Sequence, residues 1–446
     1  MTAPVIVNAG ARLDRLPVSS FHRRVMKLIG IGMFFDGFDV YVAATVLGAT
    51  LKSGFSTIGQ NAQFVSATFF GMMLGSFLTG FLGDRYGRRF TYQANLALFG
   101  VASIAAAFAP SMNMLIVLRG IMGVGLGAEL VVGYASMTEF VPPQARGKWV
   151  GALSVAVVTS LPFSALASAL IIPRFGWRAM FLLGGLGALV VWYLRKSLPE
   201  SPRWLESIGR AEQAEQLLQT IERAVSLQHG ALPPPAEPPP SGPPRGIAAL
   251  LNAVLLPRMV VGSVTLIVAN TLIYGFVTWL PSFFVQEGLS IATSFKYSLV
   301  MSIGAPIGSL IAALAADSWG RKPTIIGASL ATILVGSLYP FVKQPAALMA
   351  AGFLLIVPIY VLITTLFAIY IPELFPTAVR MRAAGICNTF GRGATILTPF
   401  LVVALFRSYG VRGVVALMIA LLIIQIGVVL AFGVEPRKRR LEELAW

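Results

Sequence analysis

The sequence predicts an all-α integral membrane protein in which twelve transmembrane helices form two parallel six-helix repeats. Three observations support this: repeated apolar windows, basic residues concentrated in alternate loops, and a set of motifs that occurs twice. Of the 446 residues, 56% are hydrophobic and 12% are charged, about half the charged fraction of a soluble domain. A span needs about 20 mostly apolar residues, and such windows recur from about residue 25 to residue 433. A soluble enzyme is therefore excluded.

The apolar windows predict two sets of six helices separated by a polar segment. They cover 25–50, 61–83, 90–109, 112–137, 148–172 and 177–196 in the first half, and 257–285, 295–316, 323–342, 346–371, 383–406 and 412–433 in the second. The predicted organisation is an N-terminal tail (1–24), a first bundle (25–196), a linker (197–256), a second bundle (257–434) and a C-terminal tail (435–446). In the linker, Ser201 to about Leu227 is predicted as an amphipathic helix, and the proline-dominated run from Leu232 to Gly246 as extended chain.

The distribution of basic residues predicts the topology. About 25 of the 34 lysines and arginines fall on one side of the predicted bundle, in the tails, the linker and alternate loops. By the positive-inside rule, both termini are expected in the cytoplasm and the protein in the inner (plasma) membrane. The net charge of +16 is then explained by topology and by anionic membrane lipids as partners, without nucleic acid. Cys387 is the only cysteine, so no intramolecular disulfide can form, and the first span is predicted to act as an uncleaved anchor.

The two halves repeat the same residues at a nearly constant spacing. Six residues of the first half recur 233 positions later (304 − 71): Gly71, Gly75, Asp84, Gly87, Arg88 and Arg89 match Gly304, Gly308, Asp317, Gly320, Arg321 and Lys322. Four more recur 234 positions later (373 − 139): Glu139, Pro142, Arg146 and Gly151 match Glu373, Pro376, Arg380 and Gly385. Ten such matches indicate two parallel copies of one unit, an architecture that places a transport site at the interface of the copies.

The loop after the second predicted helix, Gly80 to Arg89, places an acid, a glycine and paired basic residues at a helix end. It resembles the loop motif of the major facilitator superfamily, with Asp317 to Lys322 as its second-half counterpart, and the resemblance implies the major facilitator fold. An acid at a helix end can bond a neighbouring helix terminus and stabilise one conformation. We therefore predict a conformational gate, with solvated positive-inside charges as the alternative. The predicted gate residues are Asp84, Arg85, Arg88, Glu139, Arg146, Asp317, Arg321, Glu373 and Arg380.

More specific motifs resemble those of proton symporters for aromatic acids and nicotinate, and those of organic-ion carriers. The stretches that are similar are Asp36-Gly-Phe-Asp39 and Arg119 to Gly127 for the symporters, Pro199 to Leu205 for sugar porters and organic-ion transporters, and Pro372 to Arg380 with Gly391-Arg-Gly393 for organic-anion carriers. The glutamine-rich helix-seven motif of sugar porters is absent, and the stretch from Asn270 to Pro281 stands in its place. A sugar substrate is therefore disfavoured.

Three carboxylates and Arg119 lie well inside predicted spans of the first half, where charge is costly and indicates function. Asp36 and Asp39 lie roughly 13 and 18 Å into helix one on a shared face, and two close carboxylates in a low dielectric are not both expected to stay ionised. This arrangement suits proton coupling, with capping of a helix break at Gly37 as the structural alternative. Arg119 is the expected partner of one aspartate, unless it extends to the outer interface. Glu129 is the second candidate for protonation.

Arg392 is predicted to bind the substrate. It lies about 15 Å into helix eleven, in the half opposite the buried acids, and shares a face with Asn388 and Thr395. Its guanidinium group fits a carboxylate, and the resemblance to organic-ion carriers implies an anion where an arginine occupies this position. The alternative is an ion pair with Asp36 or Asp39. Candidate walls for a substrate ring, each with lipid contact or packing as its alternative, are Tyr274, Trp279, Tyr360 and Phe390.

Together these features predict a proton-coupled symporter that imports a small organic anion, an aromatic carboxylate resembling hydroxybenzoate or nicotinate. The alternative is a proton-driven exporter, although Leu161-Pro-Phe163 does not match the proline–glycine motif of drug antiporters. A membrane enzyme would need intramembrane histidine, serine or metal-ligand clusters, an ATP-driven pump a phosphate-binding loop, and a sensor a larger cytoplasmic domain. We expect a monomer that binds no metal, cofactor or nucleic acid and is driven by the proton gradient.

Overall fold

The computed structural model describes residues 7–236, 250, 252–277, 297, 300–342, 344–377 and 379–437, and the regular structure within these residues is helical. Helices satisfy every backbone polar group within one segment, as a lipid environment requires. The proline-rich run beyond residue 236, the outer end of predicted helix seven with Trp279, and most of the region before residue 300 lie outside the described residues.

The first half is a bundle of six long helices that follows a short helix, α1 (Ala9–Asp14). The six are α2 (Ser20–Lys52), α3 (Ile58–Tyr86), α4 (Arg88–Ala107), α5 (Met112–Phe140), α6 (Arg146–Phe175) and α7 (Arg178–Leu194). Polar residues begin two of them in the expected way, because the side chains of Thr57 and Ser111 accept hydrogen bonds from backbone N–H groups in the first turns of α3 and α5.

Two further helices, α8 (Pro202–Ser207) and α9 (Ala211–His229), form the described part of the linker. The N-terminal segment, predicted only as a tail, packs against them. The Glu206 carboxylate accepts hydrogen bonds from the backbone N–H groups of Asn8 (2.7 Å) and Ala9 (2.8 Å) at the start of α1. Arg12 forms ion pairs with Glu222 (2.7 Å) and with Glu215. The buried apolar residues of this contact are Val7, Ala9, Leu13, Leu16, Trp204, Leu205, Ala214, Leu218, Ile221 and Val225.

The second half contains α10 (Leu255–Gly275), α11 (Gly304–Ser318), α12 (Arg321–Leu338), α13 (Pro345–Thr364) and α14 (Arg380–Phe432). A π-helical turn, Thr365–Tyr370, follows α13 directly. The 53 residues of α14 would span about 80 Å as one straight helix, more than twice the hydrocarbon thickness, and Gly410 breaks it into two arms (φ 62°, ψ −154°). Eleven helices of the described part are long and apolar enough to cross a membrane. With α14 counted as two arms, the predicted twelve spans are confirmed.

Close packing of helix backbones joins the helices within each half. A Cβ atom at Gly75 of α3 would lie 1.9 Å from the carbonyl oxygen of Val124 in α5, and one at the equivalent Gly308 of α11 would lie 2.3 Å from that of Val357 in α13. Both glycines therefore allow two helices to approach more closely than any side chain would permit, as small residues do between membrane helices. The halves meet through α3 against the first arm of α14, and through α11 against α6, which are equivalent pairs in the repeat.

Both ends of the described chain lie on one face of the bundle, which we call the terminus face. The N-terminal helix α1 packs on the linker helices there, and Glu435 accepts a hydrogen bond from the backbone N–H group of Arg321 at the start of α12 (3.0 Å). By the distribution of basic residues, this is the face predicted to be cytoplasmic.

Candidate functional site

Arg392, on the first arm of α14, lies in the interior of the molecule and is only 3% exposed. Its Nη1 group donates hydrogen bonds to the Asn270 side-chain oxygen and to the Tyr274 hydroxyl, both at 3.2 Å. Its guanidinium carbon lies 6.0 Å from the centre of the Tyr274 ring and 5.8 Å from that of Phe367. Within the described residues, no carboxylate pairs with Arg392 and its Nε group has no acceptor. The site therefore presents a buried cation with unused donor capacity.

Aromatic side chains from both halves surround this cation. The rings of Phe69 and Tyr274 meet edge to face at 4.6 Å, across the interface of the halves. Tyr41 of the first half interacts with the hydroxyl of Tyr360 in the second, and Tyr134 of α5 lies within electrostatic range of Arg392. Tyr274 and Tyr360 were predicted from the sequence as aromatic walls, whereas Tyr41, Tyr134 and Asn270 were not. Asn270 could have been found, because an amide side chain inside an apolar span needs a polar partner.

Three predicted substrate contacts are placed differently. Phe390 is 55% exposed on the outer surface of α14, so its assignment to the ring wall is wrong and the lipid-contact alternative applies. Asn388 and Thr395 are buried, but each donates to a carbonyl of its own helix, at 2.9 and 3.1 Å respectively. No hydrogen bond in the described part joins either to Arg392, and the cavity beside Asn388 measures only about 10 Å³, which is enough for a water molecule and too small for an aromatic ring. Trp279 lies outside the described residues.

Arg119 and Asp39 form a buried ion pair between α5 and α2. Arg119 also donates to the Thr68 hydroxyl (3.0 Å) and lies 5.1 Å from the centre of the Phe64 ring. At 1% exposure Arg119 does not extend to the outer interface, so that alternative is wrong. The alternative of an ion pair between Arg392 and Asp36 or Asp39 is also wrong, because Asp39 pairs with Arg119 and no ion pair in the described part joins Arg392 to Asp36. Asp36 is 3% exposed, and its Oδ2 atom has no hydrogen-bond partner among the described residues. Helix α2 continues through this region without a break at Gly37.

Glu129, the second predicted protonation site, pairs with Arg195, which the sequence analysis did not single out. Arg195 follows α7 directly, and its guanidinium reaches the carbonyl oxygens of Leu28 (2.8 Å) and Ile29 (2.6 Å) in α2. It also lies over the Tyr92 ring, 4.6 Å from its centre. The first half therefore holds two separate buried arginine–carboxylate pairs, with Asp36 as a third carboxylate that has no arginine partner in the described part.

Most of the predicted gate residues join the two halves at the terminus face. In the first half, Arg88 pairs with Glu139 (2.7 Å) and lies 3.6 Å from Asp84. Glu139 also binds Arg380 of the second half (2.9 Å). Asp84 accepts a hydrogen bond from the backbone N–H group of Arg382 at the start of α14 (3.1 Å). These contacts between the halves close the terminus face in this structure.

The second half repeats the arrangement with one difference. Arg321 pairs with Glu373 (2.8 Å) and Asp317 (3.1 Å), and Asp317 accepts hydrogen bonds from backbone N–H groups at the start of α6. Arg146, the repeat equivalent of Arg380, contacts Asp14 of α1 (3.3 Å) instead of Glu373. The structure contradicts the gate assignment of one residue: Arg85 is exposed beside the Tyr86 ring, as the alternative of a solvated charge described.

Two further carboxylates bind the helix starts next to the gate, and the sequence analysis assigned neither to it. Glu200 accepts hydrogen bonds from the backbone N–H groups of Arg88 (2.9 Å) and Arg89 (3.1 Å). Glu435 does the same for Arg321 (3.0 Å) and Lys322 (2.8 Å) in the other half. A carboxylate at a helix N-terminus complements the helix dipole, so each half has its own internal closure. Among the described residues, no cluster of histidine, cysteine or acidic side chains is suited to a metal.

Comparison with known proteins gives a matching family model, several similar chains and a solved structure of the same fold. A family model described as Major Facilitator Superfamily matches residues 29–368 and 296–445. The inner membrane metabolite transport protein YdjE of Escherichia coli is 38% identical over 444 residues, which is 98% of each chain. The niacin transporter NiaP of Acinetobacter baylyi is 30% identical, covering 97% of this chain and 99% of its own. The 4-hydroxybenzoate transporter PcaK of the same organism is 25% identical over 73% and 72% of the two chains. A solved structure of the proton:xylose symporter XylE has a TM-score of 0.80 at 19% identity over 95% and 98% of the chains, a likeness of fold.

Proposed function

Because this chain belongs to the major facilitator superfamily, whose members are multi-pass membrane transporters and not enzymes, we propose that it imports a small aromatic carboxylate together with a proton. The observation that supports this most directly is the buried guanidinium of Arg392, which has no carboxylate partner among the described residues. We further propose that it does so in the inner membrane with both termini in the cytoplasm.

An anionic substrate would remove the electrostatic cost of this site. A buried charge without a counter-charge is strongly unfavourable, and a carboxylate bound by two parallel N–H groups of an arginine is among the strongest pairings available. Asn270 and Tyr274 occupy only the Nη1 side of Arg392, so the Nε side remains for a ligand. The rings of Tyr274 and Phe367 beside the guanidinium favour an acid whose carboxylate is attached to an aromatic ring.

The names of two relatives support the same substrate class. NiaP is named as a niacin transporter and PcaK as a 4-hydroxybenzoate transporter, and both compounds are aromatic rings with one carboxylate. We propose a substrate of this type for the present chain.

Proton coupling is proposed at the carboxylates of α2. Protonation of Asp39 would remove the counter-charge of Arg119, its buried partner, and so change the relative stability of the conformations. Asp36, three residues away on the same helix face, has an Oδ2 atom without a hydrogen-bond partner in the described part, an environment that suits a neutral acid. Import of one proton with one monovalent anion moves no net charge. A pH difference of one unit would then supply about 1.4 kcal/mol, or roughly tenfold accumulation.

Uptake of radiolabelled nicotinate and 4-hydroxybenzoate into proteoliposomes tests the proposal. A pH gradient is imposed while a potassium ionophore holds the membrane potential at zero. We expect the wild type to accumulate the acid and the control Arg85→Gln to show normal uptake. Arg392→Ala should lose both binding and uptake. Asp39→Asn should lose accumulation driven by the pH gradient. Accumulation above the external concentration that persists after the pH gradient is collapsed would refute proton symport. Failure of both acids to move or bind under an intact gradient would refute the aromatic carboxylate.

A further inference from the structure

A groove of about 460 Å³ lies between α2 and α6, apart from the central site. Every residue that lines it belongs to α2 or α6 of the first half, and neither Arg392 nor any of its contacts is among them. Its lining residues are Arg23, Met26, Lys27, Gly30, Ile31, Phe34, Trp149 and Ala156. Both helices begin at the terminus face and are long enough to cross a membrane, so the surroundings of the groove are lipid.

At the terminus face the groove is bordered by two basic residues, which contribute the carbon stems of their side chains to an apolar wall. Arg23 and Lys27 are exposed and lie four residues apart, on one face of α2. Neither is joined to a carboxylate by any ion pair between described residues. Their charged groups are therefore available beside the groove, and no described carboxylate pairs with them.

The other end of the groove is apolar. Ile31 and Phe34 form its wall, and the Phe34 ring packs against Phe163 of α6 with a centroid distance of 5.3 Å. From Arg23 to Phe34 the helix rises by about 16 Å, close to half of the roughly 30 Å hydrocarbon core. The groove thus extends through one leaflet, from charged groups at the surface to hydrocarbon at the bilayer centre.

We infer that this groove binds an anionic phospholipid of the leaflet at the terminus face. The order of charges and apolar walls matches that of a phospholipid, with the phosphate at Arg23 and Lys27 and an acyl chain along Ile31 to Phe34. Trp149, three residues into α6, lies at the level of the membrane surface, where tryptophan side chains are enriched. The excess of two cations selects a lipid with net negative charge, because a zwitterionic lipid carries a cation of its own. This inference does not depend on the proposed substrate.

Fluorescence quenching at Trp149 tests the inference in the full-length protein. The protein is reconstituted in phosphatidylcholine vesicles that contain increasing fractions of brominated phosphatidylglycerol or, in a parallel series, brominated phosphatidylcholine. The signal of Trp149 is the difference between the wild type and Trp149→Phe. Each basic residue near a membrane surface strengthens attraction to anionic lipid by about fivefold, so we expect phosphatidylglycerol to be preferred by roughly 25-fold.

The variant Arg23→Gln/Lys27→Gln should lose this preference. The matched control Arg24→Gln, which removes a neighbouring exposed charge that does not line the groove, should retain it. If the double variant fails to fold, each single variant should still show about a fivefold loss. Equal quenching by both brominated lipids in the wild type, or an equal loss with Arg24→Gln, would overturn the inference and leave only non-selective contact with surrounding lipid.

Discussion

Replacement of Glu139 by glutamine should shift the protein towards a conformation that is open at the terminus face. Glu139 pairs with Arg88 of its own half and with Arg380 of the other half. The first pair is present whichever face is open, because both residues move together, whereas the second exists only when the terminus face is closed. Hydrogen bonds to charged groups contribute about 1.5–3 kcal/mol; the bond between Glu139 and Arg380, with both partners charged, belongs at the upper end, and the bond from Arg380 to a neutral glutamine at the lower end. The loss to the closed state is therefore about 1–2 kcal/mol, a shift of roughly 5- to 30-fold.

A matched control exists in the other half of the chain. Glu373 is the repeat equivalent of Glu139 and is equally buried, but its ion pair is with Arg321 of its own half. Glu373→Gln should therefore cost overall stability without opening the terminus face. The sole native cysteine, Cys387, is first replaced by serine, and a reporter cysteine is placed at Asn388, beside the small cavity between the halves. The rate of maleimide labelling in detergent reports opening.

We expect labelling to be about 5- to 30-fold faster in Glu139→Gln and unchanged in Glu373→Gln. Equal rates in the two variants would refute the reasoning, because the contact between the halves would then make no difference to the equilibrium.

Three further predictions concern the substrate, the proton and the N-terminal helix. Arg392→Lys keeps the charge but loses the two-pronged donor, so KM for the acid should rise at least tenfold, whereas Phe390→Leu on the outer surface should change it less than twofold. Asp39→Asn should abolish accumulation against a gradient while exchange of internal for external substrate continues, as a counterflow assay would show. Burial disfavours the charged form of Glu222, but the hydrogen bonds from Arg12 and a second arginine outweigh this and hold its pKa below the ordinary value of 4.5. The stabilisation of docked α1 should therefore be complete above pH 4.5 and lost as the pH falls further, and spin labels on α1 and α9 would report the separation.

The repeat made much of the gate predictable from the sequence. Arg321 is the repeat equivalent of Arg88, and Glu373 is that of Glu139. An ion pair between the arginine and the glutamate is therefore expected in each half, and both the Arg88–Glu139 and the Arg321–Glu373 pairs are present. Arg380 binds Glu139 of the other half, whereas its equivalent Arg146 binds Asp14 of α1, and this difference was not predictable from the repeat. It depends on where the N-terminal segment packs, which is set by tertiary contacts of α1 and not by the repeated motif.

The carboxylates within the spans were easier to identify from the sequence than the arginines that pair with them. Arg195 lies at the end of a span, where a basic residue is indistinguishable from a positive-inside charge. The signal that could have revealed it is Glu129, because a carboxylate within the membrane requires a cation nearby. The wrong placement of Phe390 was avoidable, since two residues correspond to 200° around a helix and place it opposite Arg392.

The internal closure of each half has a consequence for biosynthesis. The partners of Arg88 within its own half, Asp84, Glu139 and Glu200, all precede α8, so the first bundle can be completed while the second is still being synthesised. Domains generally fold as units in the order of their translation. The contact between Arg380 and Glu139 must wait for α14, the last helix to be made. The newly made chain would therefore finish folding by forming the same contacts that an opening of the terminus face must break.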